Sequence, residues 1–187
     1  MQRPLFLTGM MGCGKTTVGR ILAHALGVPL CDLDVRIERL FGASVPKLLA
    51  AGEDRFRACE RDALSSLLAE PGARGRGLVV ATGGGAILDA DSRAAMDDVG
   101  TRIYLEASVD ELVRRLRQAE AADEGARPLL QGATSLRARV AELLTARRAL
   151  YRSAALCIDA QGDAVGVADR ILVALGKDTG ARGSEAV

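Results

Sequence analysis

The chain of 187 residues contains no asparagine and one histidine, His24, and its four cysteines, Cys13, Cys31, Cys59 and Cys157, show no CxxC spacing. A metal centre built from Cys and His therefore lacks a ligand set, and nothing suggests a disulfide framework. The thiols read as reduced and incidental. A hydrolase triad would have to use His24 as its base, and no GxSxG elbow is present. His24 instead falls in a predicted helix, where a surface or core-edge place accounts for it. Without asparagine there is no NKxD element to read guanine, which argues against a Ras-like switch. An excess of either charge is also missing, with 25 basic residues against 24 acidic ones and a net charge of +1. Nothing in that balance calls for nucleic acid or an anionic membrane as partner. No run approaches the roughly 20 apolar residues of a membrane span, and the run Pro4 to Thr8 behind Arg3 is too short for a signal peptide. The expected location is the cytoplasm.

The composition, 49% hydrophobic and 26% charged, suits one compact domain. We expect that domain over 1–176, and a disordered small, polar tail over 177–187. Short apolar runs alternate with helical patterns. Strands are predicted at Pro4–Thr8, Val28–Asp32, Leu78–Thr82, Thr101–Leu105 and Ala155–Asp159, separated by helices, which gives an α/β fold with parallel strands and crossover helices. Two stretches read as mobile, Glu70–Gly77 and Gln118–Gly125, the second lacking an apolar face.

Between the first strand and the helix predicted over Thr16–Leu26 stands Gly9-Met10-Met11-Gly12-Cys13-Gly14-Lys15-Thr16, a GxxxxGK[ST] motif in its proper context. Its glycines let backbone N–H groups curl around a β-phosphate, and the helix N-terminus adds positive dipole. Lys15 reaches the β and γ oxygens, and the Thr16 hydroxyl can ligate Mg²⁺. Lys15 is one of three lysines in a chain of 22 arginines, consistent with a need for a compact ammonium here. The loop differs from GxPGxGKGT of nucleoside monophosphate kinases, with Met11 for proline and Thr16 directly after Lys15. A small-molecule kinase becomes the leading class.

Charged residues then appear where apolar ones would fit. Asp32 and Asp34 close the second strand, and in extended chain their i, i+2 spacing puts both carboxylates on one face, about 7 Å apart. One can serve the metal while the other orients or deprotonates a hydroxyl. An N-cap for a helix over Val35–Leu40 suits Asp34 but leaves Asp32 unexplained. The third strand ends in Gly83-Gly84-Gly85 without an acidic residue, so Asp32 is the natural metal carboxylate. The three glycines form a turn or let backbone N–H groups approach a polar small molecule. Over Glu53–Leu68, Glu60 falls in an apolar helical stripe where Arg57 can pair with it. Arg147, unlike Arg148, lies on the apolar face marked by Leu136, Val140, Leu143, Leu144 and Leu150. Two inward arginines beside carboxylates suit an acceptor that carries an acid group and hydroxyls. Arg127, next to Pro128-Leu129-Leu130, sits on an expected flap over 116–133 and could close on the γ-phosphate. Arg115 lies off the stripe of Val109, Leu112, Val113 and Leu116, where adenine stacking and a solvated surface are equal readings.

Taken in order, GMMGCGKTT, DLD at 32–34, FRxxE at 56–60, TGGG at 82–85, RPLL at 127–130 and RRALY at 147–151 closely resemble the shikimate kinases over nearly the whole chain to about Leu175. The resemblance implies a monomeric P-loop kinase of the nucleoside-monophosphate-kinase type, three layers α/β/α around a five-stranded parallel sheet in the order 2-3-1-4-5. It implies ATP-dependent phosphorylation of the shikimate 3-hydroxyl, toward chorismate and aromatic amino acids. By the same resemblance Asp34, Arg57, Gly84, Gly85 and Arg147 contact shikimate, within a substrate segment of about 34–61 for the first two. Thr16 and Asp32 belong to the Mg²⁺ site. Gly12, Cys13, Gly14, Lys15, Thr16, Thr17, Arg115 and Arg127 belong to ATP, with Arg117 as the alternative adenine contact. Catalysis falls to Asp34, Lys15 and Arg127, while Glu60 orients Arg57. The stretch between Arg115 and Arg127 is longer than usual for the family.

Overall fold

The structure, a computed structural model, describes residues 3–73, 75, 77–121 and 135–177. Five strands, β1 (Leu5–Thr8), β2 (Leu30–Asp32), β3 (Val79–Ala81), β4 (Thr101–Glu106) and β5 (Leu156–Asp159), form one parallel sheet in the order β2-β3-β1-β4-β5. This is the order expected from the family resemblance, and the strand positions match the apolar runs to within a residue or two. β1 lies at the centre, in register with Val79 on one side and Thr101 on the other through Leu5, and all four of its residues are buried. Burial on both faces is why it reads as a continuous apolar run.

Helices cover both faces. They are α1 (Lys15–Leu26), α2 (Leu33–Phe41), α3 (Val45–Ala50), α4 (Glu53–Leu68), α5 (Ala90–Val99), α6 (Val109–Ala121), α7 (Leu136–Arg152) and α8 (Ala164–Ala174). Because side chains alternate along a strand, Leu5 and Leu7 enter one core with Val79, while Phe6 enters the other with Val80. The first core is closed by α1, α6, α7 and α8 through Leu22, Leu112, Leu116, Leu144 and Ile171. The second is closed by α2 to α5 through Ile37, Leu48, Phe56, Leu64 and Met96. Each such fully buried side chain contributes roughly 1.5–3 kcal/mol.

Two local expectations change. β2 stops at Asp32 and α2 starts at Leu33, so Asp32 and Asp34 do not share a strand face. Leu33 and Ile37, both fully buried, hold that helix to the core from its first turn. Gln118–Ala121 continue α6 as helix, and 122–134, with Arg127 and RPLL, lie outside the described residues. So do 178–187 of the tail. His24 is exposed in the last turn of α1, in keeping with its surface reading.

Candidate active site

The chain leaves β1 at the carboxyl edge of the sheet and turns through Gly9 to Gly14 into α1. Two of these glycines are dictated by geometry. A Cβ on Gly9 (φ +143°) would lie 2.8 Å from both the Leu105 carbonyl oxygen and Cys13 Sγ, and Gly14 caps α1 at φ +98°. With no acidic residue in its first turn and no side-chain cap bond, α1 keeps its leading N–H groups and dipole available to an anion. Gly12 and Cys13 belong to this turn and Thr17 to the first turn of α1, Cys13 buried and Thr17 exposed. The Lys15 ammonium donates to the carbonyls of Gly9 (2.9 Å) and Met10 (3.2 Å), which holds it against the loop. The Thr16 hydroxyl donates to Asp32 Oδ2 at 2.6 Å.

Asp32 has a second task. In extended conformation (φ −89°, ψ 117°) it caps α2, its Oδ1 accepting from the backbone N–H of Asp34 (3.0 Å) and Val35 (3.4 Å). The cap role that suited Asp34 in the sequence thus falls to Asp32, and Asp34 stands in the first helical turn. Its carboxylate reaches toward the turn after β3, with Oδ1 3.1 Å from where a Cβ of Gly83 would sit. Solvent touches Asp34, yet the surrounding protein displaces much of its water. Burial, and then the like charge of Asp32, raise its carboxyl above the usual range, against the pull of Lys15.

On α4 the predicted pair forms. Arg57 bonds Glu60, donates to Glu53 at 2.9 Å and lies 5.2 Å over the Phe56 ring. Glu60 is 3% exposed, and burial raises its carboxyl although Arg57 opposes the shift. Arg57 Nε and Glu60 Oε1 are buried without a partner among the described residues, polar capacity that a ligand can take up. Gly83 and Gly85 are small for lack of room: a Cβ on Gly83 would run into Glu60, and one on Gly85 into the Arg57 guanidinium. On α7, Arg147 is 5% exposed and donates from Nη1 to the Gly84 carbonyl at 3.3 Å, while Arg148 is exposed, as the stripe predicts. Gly84 joins the two halves, since a Cβ there would lie 3.6 Å from Gly9 O and from Met11 N.

Arg115 is not loose on the surface. Its guanidinium donates to the carbonyls of Cys13 (3.0 Å), Ala160 (2.8 Å) and Gly162 (2.9 Å), and its Nε to Glu111 (2.6 Å). It ties the phosphate loop to the turn after β5. Hydrogen bonds from Arg114, and then Arg115, hold the Glu111 carboxyl down to about 2. Arg117 is exposed.

A family model described as shikimate kinase matches residues 11–175 of the chain. The chain belongs to the shikimate kinase family. It is 45% identical over 152 residues to a shikimate kinase of Nitrosospira multiformis, covering 81% of this chain and 72% of that one. It is 40% identical over 164 residues to one of Geobacter metallireducens, covering 87% and 86%. A solved shikimate kinase of Acinetobacter baumannii, in complex with shikimate, superposes with a TM-score of 0.82 at 36% identity over 94% of both chains. A gluconokinase of Sinorhizobium meliloti shares the fold alone, with a TM-score of 0.59 at 16% identity over 93% of this chain and 91% of that one.

Against this shikimate kinase frame, sequence reasoning overlooked Glu53 as the second partner of Arg57 and gave no task to Tyr151. The signal for Tyr151 was present, since it lies four residues after Arg147 and so on the same helical face. Its hydroxyl donates to the Gly84 carbonyl at 2.5 Å. Among the described residues no helix is long and apolar enough to cross a membrane, and no three His, Cys, Asp or Glu side chains converge as a metal group.

Proposed function

We propose that this protein transfers the γ-phosphoryl group of ATP to the 3-hydroxyl of shikimate, giving ADP and shikimate 3-phosphate on the route to chorismate and aromatic amino acids. The observation that carries the reading is the seat of Gly84. It places the turn flanked by Asp34, Arg57, Glu60 and Arg147 against the phosphate loop at Gly9 and Met11. An acid bearing hydroxyls, held there by its carboxylate, is brought beside a phosphoryl donor.

The backbone of Gly12 to Thr17 and the Lys15 ammonium cradle the phosphates, and Lys15 follows the charge that moves from the γ to the β oxygens. The Thr16 hydroxyl and Asp32 carboxylate, 2.6 Å apart, are hard oxygen donors on one side only. That sparse set fits Mg²⁺, which keeps waters and takes its other ligands from phosphate. Bound there with ATP, the ion neutralises phosphate charge. Arg57 and Arg147 grip the shikimate carboxylate, and Gly84 and Gly85 offer backbone N–H groups. Asp34 accepts a hydrogen bond from the 3-hydroxyl and takes its proton as the new O–P bond forms and the bond to the β-phosphate oxygen breaks. Arg115 walls the adenine side. The family resemblance assigns a γ-phosphate contact to Arg127, which lies outside the described residues. We propose that the protein works as a monomer in the cytoplasm.

The test is ADP release from ATP and Mg²⁺ with shikimate, gluconate, AMP or no acceptor. Release with shikimate alone is the expected result. Release with gluconate or AMP would overturn the acceptor assignment, and nucleotide binding without acceptor-dependent turnover would overturn the enzymatic reading.

A further inference from the structure

The three carbonyls of the Gly83–Gly85 turn are held in different ways. Gly83 O accepts from the backbone N–H of Ala86 (3.2 Å) and Gly85 O from that of Leu88 (2.9 Å), as the chain winds into a 3₁₀ turn over Ala86–Leu88. Gly84 O is held by side chains, the Tyr151 hydroxyl at 2.5 Å and Arg147 Nη1 at 3.3 Å. Three successive glycines impose little backbone preference, so sterics do not fix the plane of the Gly84–Gly85 peptide. Because that peptide is planar and trans, pinning its carbonyl aims the Gly85 N–H the opposite way. No protein acceptor meets that N–H among the described residues.

The pin is rigid. Tyr151 is fully buried, and its ring stacks on Tyr104 with centroids 5.1 Å apart and planes 6° from parallel. Tyr104 pairs in register with Thr8, the last residue of β1 before the phosphate loop. Tyr151 thus rests on the sheet next to the phosphate cradle while its hydroxyl reaches the acceptor turn. Burial raises its phenol well above the usual value, so it remains a donor at any working pH.

Resting on the reading of shikimate as acceptor, we propose that Tyr151 is a positioning residue for that acid. Its hydroxyl fixes the Gly84–Gly85 peptide so that the Gly85 N–H faces the substrate, and it relieves Arg147 of being the sole donor to Gly84 O. Without the hydroxyl, Arg147 is drawn to that carbonyl and away from the shikimate carboxylate, and the Gly84–Gly85 plane is free to turn.

Tyr151→Phe keeps the ring and its stack and deletes only the hydroxyl, which donates to Gly84 O and is also a partner of Arg147. The expected result is a rise of about 5- to 10-fold in KM for shikimate, the size of one lost hydrogen bond. KM for ATP should stay within about 2-fold, which also reports that the variant is folded. An unchanged KM for shikimate would overturn the proposal, as would an equal rise in both KM values or a fall in kcat and Tm without the split. If the wild-type protein does not turn over shikimate at all, the functional reading itself fails, and this result is separable from a null effect of the variant.

Discussion

On the proposed phosphate side of the cleft, Gly9 to Thr17 come from one unbroken stretch that runs from the end of β1 into the first turn of α1, and what it offers is mostly backbone N–H. On the proposed acceptor side, Asp34, Arg57, Gly83–Gly85 and Arg147 come from α2, α4, the turn after β3, and α7, and what they offer is mainly charged side chains. The first site is organised by local geometry, such as the positive φ of Gly9 and Gly14. The second exists only when both cores are packed, because Arg57 is carried by one core and Arg147 by the other. A backbone cradle takes polyphosphate with little regard to what lies beyond it, whereas assembled charges discriminate among acceptors. Damage to one side should therefore leave the other working.

The largest expected effect tests that independence at the reacting hydroxyl. Asp34→Asn should lower kcat by about 10²- to 10⁴-fold, the usual span for loss of a general base. ATP affinity measured by titration should stay unchanged, and a parallel loss of ATP binding would break the contrast. The raised Asp34 carboxyl also sets a pH signature. In the wild type, kcat/KM for shikimate should fall on the acid side at a higher pH than an ordinary carboxylate dictates, as Asp34 takes up its proton. The folded state binds that proton more tightly than the unfolded chain does. The resulting stabilisation is fully present below the unfolded pKa and is lost as pH rises through the folded one. Asp34→Asn should accordingly be no less stable than wild type at neutral pH.

Next in size is the grip on the acid. Arg57→Ala should raise KM for shikimate about 10- to 100-fold, from the loss of charge-assisted hydrogen bonds, with KM for ATP within about 2-fold. It also strands Glu60, whose side chain is 4% exposed. An uncompensated buried carboxylate costs about 3 kcal/mol, the lower end of the range for a broken buried pair. Arg57→Ala with Glu60→Gln should recover most of that stability without recovering shikimate binding. Recovery of both would reduce the pair to a structural role.

The same contrast explains what could be read in advance. The phosphate loop was legible as a motif because its residues are contiguous and their spacing is the mechanism. The sheet order was not in the local patterns and came from the family resemblance. On the acceptor side, the apolar stripes placed Glu60 and Arg147 inward, since one helical face can be traced along the chain. Which element Asp34 occupied could not be traced, because an Asp-Leu-Asp triplet extends a strand or caps a helix equally well, and the burial of Leu33 and Ile37 decided it. The need for glycine at 83 and 85 was legible only as an approach of backbone to ligand. The bodies that exclude a Cβ are Glu60 and Arg57, more than twenty residues earlier in the chain.

The smallest expected effect falls where the two sides touch. Asp32 divides its carboxylate, Oδ2 accepting from Thr16 of the phosphate loop and Oδ1 capping the helix that carries Asp34. Asparagine caps a helix about as well as aspartate does, so Asp32→Asn should change stability by less than about 0.5 kcal/mol, whereas Asp32→Ala should cost about 1 kcal/mol. Asn also removes the negative charge from the proposed Mg²⁺ site, so the Mg²⁺ concentration needed for half-maximal rate should rise about 5-fold or more. KM for shikimate should barely move if the helix keeps its place. That outcome would confine the coupling of the two sides to a single oxygen. A rise in KM for shikimate as large as the rise in Mg²⁺ demand would instead show that charge at Asp32 also sets the acceptor geometry, and the two halves would have to be treated as one electrostatic unit.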